Sequence, residues 1–210
     1  GCPGTSETIE IWIEPELTIA LPIASDTICS NGFTNFELNS INSTTEPIEF
    51  EYITEIANPA QVEIHNGGGQ DGFLDGEFIQ DSLVNLSGTY QNLRYIVKPY
   101  SVDGNGNRRC SSDDADTIEI ILEPKPILSL SIQGDTICDN DAVAITITST
   151  STPIKPVKLR YRVEAENSGS VSVSSGSTNN LNSGFTITDI VDNLSDTAQL
   201  VRFIVTAYTI

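Results

Sequence analysis

Residues 8–15 read TIEIWIEP and residues 117–124 read TIEIILEP. In the first stretch Ile9, Ile11 and Ile13 alternate with Glu10, Trp12 and Glu14. In the second, Ile118, Ile120 and Leu122 alternate with Glu119, Ile121 and Glu123. A period of two places the apolar set on one face of an extended chain, whereas a helix needs apolar spacings of three and four. Each stretch is therefore a strand with a buried and a wet face. The closing Glu-Pro ends it, because proline has no N–H to continue a ladder.

The two copies lie 109 residues apart, and the offset recurs along the chain. DTICSN (26–31) matches DTICDN (135–140), Pro47 matches Pro156, and Tyr52 matches Tyr161. Further on the offset is 108: Asn85-Leu86-Ser87 matches Asn193-Leu194-Ser195, RYIV (94–97) matches RFIV (202–205), and Tyr100 matches Tyr208. Ordered matches at one period are the mark of a duplicated domain. On this reading residues 1–14 are the terminal strand of a preceding repeat, 15–123 a complete repeat, and 124–210 a second repeat lacking its last strand. The parent chain is expected to continue at both ends.

Period two also governs the interior. Ile48, Phe50 and Tyr52 alternate with Glu49 and Glu51; Val157, Leu159, Tyr161 and Val163 alternate with Lys158, Arg160 and Arg162. Isoleucine, valine and threonine suit such surfaces, and Gly, Asn, Asp, Ser and Pro divide the segments. The complete repeat is expected to carry strands at 17–23, 34–41, 48–56, 61–64, 78–84, 93–100 and 117–122. Several short strands in about 110 residues predict an all-β chain of tandem immunoglobulin-like β-sandwich repeats, arranged end to end on proline-stiffened joints.

Composition narrows the function. The chain has 210 residues, 10 basic against 29 acidic, for a net charge of −19. Nucleic acid is excluded as a partner, because phosphate binding needs clustered Lys and Arg. No apolar run approaches the roughly 20 residues of a membrane helix, so no membrane insertion is expected. With His65 the single histidine, His-based metal sites and catalytic pairs lose their material. Asp71, Asp75 and Glu77 sit in a glycine-rich stretch with no apolar pocket for a glycosidase acid, and nothing resembles a nucleophile elbow. The chain is expected not to be an enzyme.

Asp103-Gly-Asn105-Gly-Asn107 is a candidate calcium loop: alternate side chains in a D-x-N-x-N run aim oxygens at one centre. The usual distal glutamate is missing, although Asp113, Asp114 and Asp116 follow closely. The alternative is a Gly/Asn hairpin loop that needs no metal. The segment from His65 to Glu77 is the least repeat-like, and variable loops on a fixed sandwich carry recognition. Asp71, Asp75 and Phe73 are its candidate binding residues, with a flexible connector as the alternative. Trp12 on its strand's outer face is either a platform for surface polysaccharide or, as preferred, a contact with an adjoining domain. Asn42, Asn85 and Asn193 begin N-x-S/T triplets that read as structural turns. Glu49, Glu51 and Glu55 oppose Lys155, Lys158, Arg160 and Arg162 in charge, either for pairing between rods or simply as solvated faces.

Cys2, Cys29, Cys110 and Cys138 are widely spaced, without a CxxC motif. Cys29 and Cys110 bracket the complete repeat, so their disulfide is the first choice; Cys2–Cys29 with Cys110–Cys138, or four free thiols, are the alternatives. The missing final strand of the second repeat also predicts head-to-tail strand addition, with Ile9–Ile13 filling a neighbour's open edge.

The order of these segments resembles a known family. Ile28-Cys29-Ser30-Asn31, Asn85-Leu86, Tyr95-Ile96-Val97-Lys98-Pro99, Cys110 and Ile118–Pro124 resemble the PKD-like/Ig-like repeats of giant surface adhesins from gliding Bacteroidetes, the SprB type. The family implies an extracellular stalk on the bacterial cell surface, exported by the type IX system and serving attachment and gliding motility. Its neighbours would be further repeats of the same chain. The family often has glycine where this chain has Asn31 and Asn140, and Ala207 stands where the first repeat has Pro99. The reading from a different class is a carbohydrate-binding accessory domain of a secreted polysaccharide-degrading enzyme.

Overall fold

The computed structural model describes residues 4–113 and 115–210. Cys2 and Asp114 lie outside the described residues, and with Cys2 the Cys2–Cys29 pairing. Among the described residues the regular structure is strand, apart from one 3-10 turn at Pro59–Gln61. No helix among the described residues is long and apolar enough to cross a membrane. The first stretch contains β1 (Ser25–Cys29), β2 (Gly32–Phe33), β3 (Phe36–Glu37), β4 (Ile48–Ile56), β5 (Val62–His65), β6 (Gly69–Leu74), β7 (Phe78–Ile79), β8 (Ser82–Asn85), β9 (Gln91–Val102), β10 (Arg108–Ser111) and β11 (Asp116–Glu123). The second contains β12 (Leu128–Ile132), β13 (Asp141–Ala142), β14 (Ile145–Ser149), β15 (Val157–Ala165), β16 (Val171–Val173), β17 (Ser177–Leu181), β18 (Phe185–Ile187), β19 (Ile190–Asn193) and β20 (Val201–Thr209).

The main sheet of the first stretch runs β1-β11-β9-β4-β6, with β10 also on β9. β11 is its keystone. It pairs antiparallel with β9 on one side and parallel with β1 on the other. The inward set expected from its sequence is buried: Ile118 and Leu122 are 0% exposed and Ile120 1%. Those side chains join Phe50, Tyr52, Leu93, Tyr95 and Val97 from the same sheet. Facing them are Phe36, Val62, Ile79 and Leu83 from the short sheets β2-β8-β5 and β3-β7. Two layers closed over one apolar core make a β-sandwich.

A second core forms from Val143, Ile145, Ile147, Leu159, Tyr161, Ile187 and Val191. Its sheets are β12-β14-β18, β13-β19-β16 and β17-β15-β20. β15 pairs with β20 in the register that β4 keeps with β9: Tyr161 opposes Val205 as Tyr52 opposes Val97. Asn31 and Asn140 both have positive φ, 69° and 62°. Asparagine is one of the few side chains that tolerates this left-handed turn, where the resembled family often has glycine.

Several sequence expectations change: the strand expected at 8–13 does not form, and of the strand expected over 34–41 only Phe36–Glu37 does. Residues 17–23 are not a strand: only an isolated bridge, Ile19 to Ser40, forms there. Pro22 removes a donor from the ladder. Strand β6 arises where a connector was the alternative, paired antiparallel with β4. Finally, Cys29, Cys110 and Cys138 are all free thiols. Cys29 stands beside Glu123 at one end of β11, while Cys110 lies on β10, between the Arg108–Val102 and Ser111–Tyr100 pairs and beyond the other end. Eight residues of strand span about 23 Å, against the roughly 4–7 Å between the Cα atoms of a disulfide. The first-choice Cys29–Cys110 bridge is therefore excluded by the topology.

Candidate functional site

The candidate calcium residues do come together, but around their own loop. Asp103 Oδ1 accepts the backbone N–H groups of Asn105 and Asn107, each at 2.9 Å, and Asn107 Nδ2 donates to both carboxylate oxygens at 3.2 Å. The Arg109 guanidinium lies 2.6 Å from Oδ2. These hydrogen bonds, the Asn107 backbone first, hold the Asp103 carboxyl down at about 2, with Arg109 adding a smaller effect. The run is an Asx-type turn whose carboxylate is already saturated by donors. No group of three or more His, Cys, Asp or Glu side chains placed to hold a metal occurs among the described residues.

The glycine-rich loop serves the core. Asp81 is 1% exposed. Its carboxylate accepts the hydroxyls of Tyr52 (3.0 and 3.1 Å) and Tyr95 (3.1 Å) and the N–H of Gly68 (3.2 Å). A Cβ on Gly67 would fall 1.7 Å from Asp81 Oδ1, so only glycine lets the loop close over this carboxylate. Burial, then the Asp81 charge, raises both tyrosine hydroxyls well above their ordinary range, so they act as donors. The second stretch repeats the arrangement: Tyr161 donates to Asp189 at 3.0 Å, and Asp189 is 4% exposed. Phe203 replaces Tyr95 at the matching position, so one donor is lost. This clasp was not anticipated, although a signal existed. Ile79-x-Asp81-x-x-x-Asn85 matches Ile187-x-Asp189-x-x-x-Asn193 at the 108-residue offset.

The remaining candidates are dispersed. Phe73 packs on Tyr52, ring centroids 5.6 Å apart. Asp71 pairs with Arg108 at 3.3 Å, and Arg108 also bonds Glu51 at 2.7 Å and lies 3.8 Å over the Tyr100 ring. Asp75 accepts the Ser40 N–H at 2.6 Å, and Glu77 that of Leu74 at 2.8 Å. Trp12 is 79% exposed. Residues 8–14 around it belong to no strand among the described residues. Asn85 is buried and its side chain bonds Thr89 and Leu122 carbonyls and the Ser87 N–H, as a turn residue does.

Two further features are a joint that recurs and a groove that does not. The first is a joint. Glu123 is 1% exposed, and its carboxylate accepts the N–H of Ile154 at 3.0 Å and of Lys155 at 3.1 Å. One period earlier Glu14 accepts the N–H of Thr45 at 2.9 Å and bonds its hydroxyl. Glu14 and Glu123, like Thr45 and Ile154, are 109 residues apart. The Thr152 N–H to Gly88 carbonyl bond (2.7 Å) and the Thr89–Thr152 bridge reinforce the Glu123 joint. The second feature is a groove of about 340 Å³ beside β20, lined by Thr136, Cys138, Asn193, Gln199, Val201 and Phe203 among others. Each of these matches a residue that borders β11 in the first stretch.

No family model and no curated protein matches the chain. Solved structures similar to it include native alpha-2-macroglobulin of E. coli, at 12% identity and TM-score 0.38 over 91% of this chain and 16% of that one. The class 5 fimbriae chaperone CfaA is similar at 9% identity and TM-score 0.34, over 89% and 98%. Domains 5–6 of the S-layer protein SbsC give 14% identity and TM-score 0.27, over 91% and 95%. None of these three is a gliding adhesin by name, and at these scores the likenesses carry no functional argument.

Proposed function

We propose that the chain is a non-enzymatic stalk module of a very large bacterial surface adhesin, one serving attachment and gliding. The observation that carries this reading is the recurrent joint. A glutamate just before a proline reaches about one third of a repeat ahead: Glu123 accepts the backbone N–H groups of Ile154 and Lys155, and Glu14 accepts the backbone N–H and the hydroxyl of Thr45, 31 residues on. Charge-assisted hydrogen bonds to backbone N–H groups are strong when dry, and Glu123 is dry. A joint of this kind holds successive sandwiches at a fixed angle, as a load-transmitting stalk requires. The polar groups buried in the core support the same reading: Asp81 and Asp189 face tyrosines of the core.

The test is an antibody against this chain applied to intact and fractionated cells of the source organism. A very large, surface-exposed protein supports the proposal. A protein of modest size in the culture medium overturns it in favour of an accessory domain of a secreted enzyme.

A further inference from the structure

Strand β15 is the central strand of its sheet, flanked by β17 on one side and β20 on the other. Its side chains Leu159 and Tyr161 are buried in the second core. Alternate residues of a strand face opposite ways, so Lys158, Arg160, Arg162 and Glu164 face outward. Three successive outward positions are basic. They stand about 7 Å apart and make a rail about 13 Å long. Lys155 is exposed just before the strand. These four belong to a chain with only 10 basic residues and a net charge of −19.

The equivalent strand shows that the fold does not require this charge. One period earlier the same positions on β4 hold Glu49, Glu51, Ile53 and Glu55. Around them the charges are settled within the sheet. Arg108 bonds Glu51 at 2.7 Å and Asp71 at 3.3 Å, Arg94 bonds Glu119 at 3.2 Å, and Glu49 accepts the Tyr100 hydroxyl at 2.9 Å. On β15 they are not. Lys158 donates to the neutral amide of Asn182 at 2.7 Å, and the Arg160 guanidinium lies 5.8 Å from the Tyr208 ring centroid. Of the three basic side chains only Arg162 pairs with a carboxylate among the described residues, that of Glu164. The wider balance differs in the same sense: residues 15–123 carry 18 acidic and 4 basic side chains, residues 124–210 carry 8 and 6.

We infer that the outward face of β15 binds an acidic polysaccharide, with Lys158 and Arg160 pairing with its anionic groups. Charge complementarity calls for an anionic partner, and a rail along a strand calls for an extended one. Ser177 stands opposite Arg162 and Thr206 opposite Arg160, and with Asn182 they offer hydroxyl and amide groups to sugar hydroxyls. Nucleic acid fits less well. It carries a charge about every 3.4 Å along each strand, which the acidic first sandwich repels. Single strands also need open aromatic faces for stacking, and Arg160 already lies over Tyr208. The acidic face of a neighbouring chain fits less well too, since Glu51, Asp71 and Glu119 already hold arginines.

Such a face would let a stalk grip an acidic glycan along its length. Binding is read on this chain itself, so it stands or falls separately from the size and location of the parent protein.

The test titrates a fluorescent alginate oligosaccharide with the full chain and follows its anisotropy, beside neutral dextran of the same length and a single-stranded DNA. Alginate should bind and dextran should not. Binding should fall about tenfold or more as the ionic strength rises from about 0.01 M to 0.15 M, where the Debye length shrinks from about 30 Å to 8 Å. K158E/R160E installs the side chains that β4 carries at these positions and should weaken binding about tenfold or more. K158Q/R160Q, which removes the charge without reversing it, should weaken binding in the same direction, and a melting curve confirms that each variant folds. Arg94→Gln, on the first sandwich, should leave binding unchanged. A wild-type chain that does not bind alginate overturns the inference, as does binding that survives both double variants. DNA bound as tightly as alginate overturns the assignment to a glycan. Self-association in light scattering that K158E/R160E abolishes, without any binding of alginate, also overturns it and gives the face to a neighbouring chain.

Discussion

The two sandwiches of this chain are built from the same sequence pattern, yet one is closed and the other is not. In the first, Tyr95 and Val97 on β9 are fully buried, because β11 covers the edge toward β1. In the second, Phe203 and Val205 on β20 are only half-buried. Among the described residues the closed core has fifteen buried residues and the open one seven. The difference lies less in the residues contributed by each core than in one missing strand. An unpaired sheet edge leaves backbone donors and acceptors free and apolar side chains half-covered, which makes it a template for another strand.

The contrast can be broken most sharply at the two copies of the strand motif. Ile120→Ala should destabilise the first sandwich by about 2–5 kcal/mol, the usual cost of truncating a fully buried isoleucine. Ile11→Ala, the same change one period earlier, should alter the melting of the monomer by less than about 0.5 kcal/mol. Denaturant unfolding at low concentration reads both, and equal effects would show that residues 8–13 are already packed.

A second comparison concerns the buried carboxylates. Asp81→Ala strands two tyrosine hydroxyls and the Gly68 N–H, whereas Asp189→Ala strands one hydroxyl. At about 1–3 kcal/mol per buried group left unpaired, Asp81→Ala should cost at least twice as much as its counterpart. Unfolding monitored separately for each sandwich would measure the ratio. A third comparison separates the joints from the sandwiches. Glu123→Ala should leave both cores folded but broaden the distribution of end-to-end distances seen by X-ray scattering; an unchanged profile would show that the buried carboxylate does not fix the joint.

The smallest effect concerns pH. Asp103 is held at about 2 in the folded chain against an ordinary 3.8. A depressed carboxyl stabilises the fold above its unfolded value and ceases to do so as the pH falls through its folded value. The contribution should be complete above about pH 4 and lost progressively toward pH 2. Asp103→Asn should flatten that part of the stability profile. A chelator should leave the melting temperature unchanged near neutral pH, since loop donors and Arg109 already satisfy this carboxylate.

Much of the architecture is readable from alternation alone. The strand predicted over 117–122 is β11, that over 48–56 is β4, and that over 93–100 is the middle of β9. Each buries every second residue against a continuous core, so local pattern and tertiary environment agree. Agreement fails where the environment is supplied from elsewhere. Gly69–Leu74 has no apolar alternation and becomes a strand only because β4 offers an edge. Residues 17–23 alternate and do bury Leu17 and Ile19, but Pro22 keeps them out of a ladder. The candidate site was less legible. The Asp103 loop was recognised as a cluster of oxygens, but its donors are backbone N–H groups that no spacing rule reveals. The Tyr–Asp clasp depends on contacts across 28 or 29 residues. Only the repeat itself could have exposed it.

The measurement that tests the central contrast most directly is amide hydrogen exchange on the monomeric chain, residue by residue, along β9 and β20. The account predicts slow exchange along the whole of β9. In β20 it predicts fast exchange at the amides facing away from β15, slowing by at least tenfold when a synthetic peptide of residues 7–15, which carries the β11 motif, is added. Equal protection of the two strands without peptide would contradict it, because the edge of the second sandwich would then already be closed.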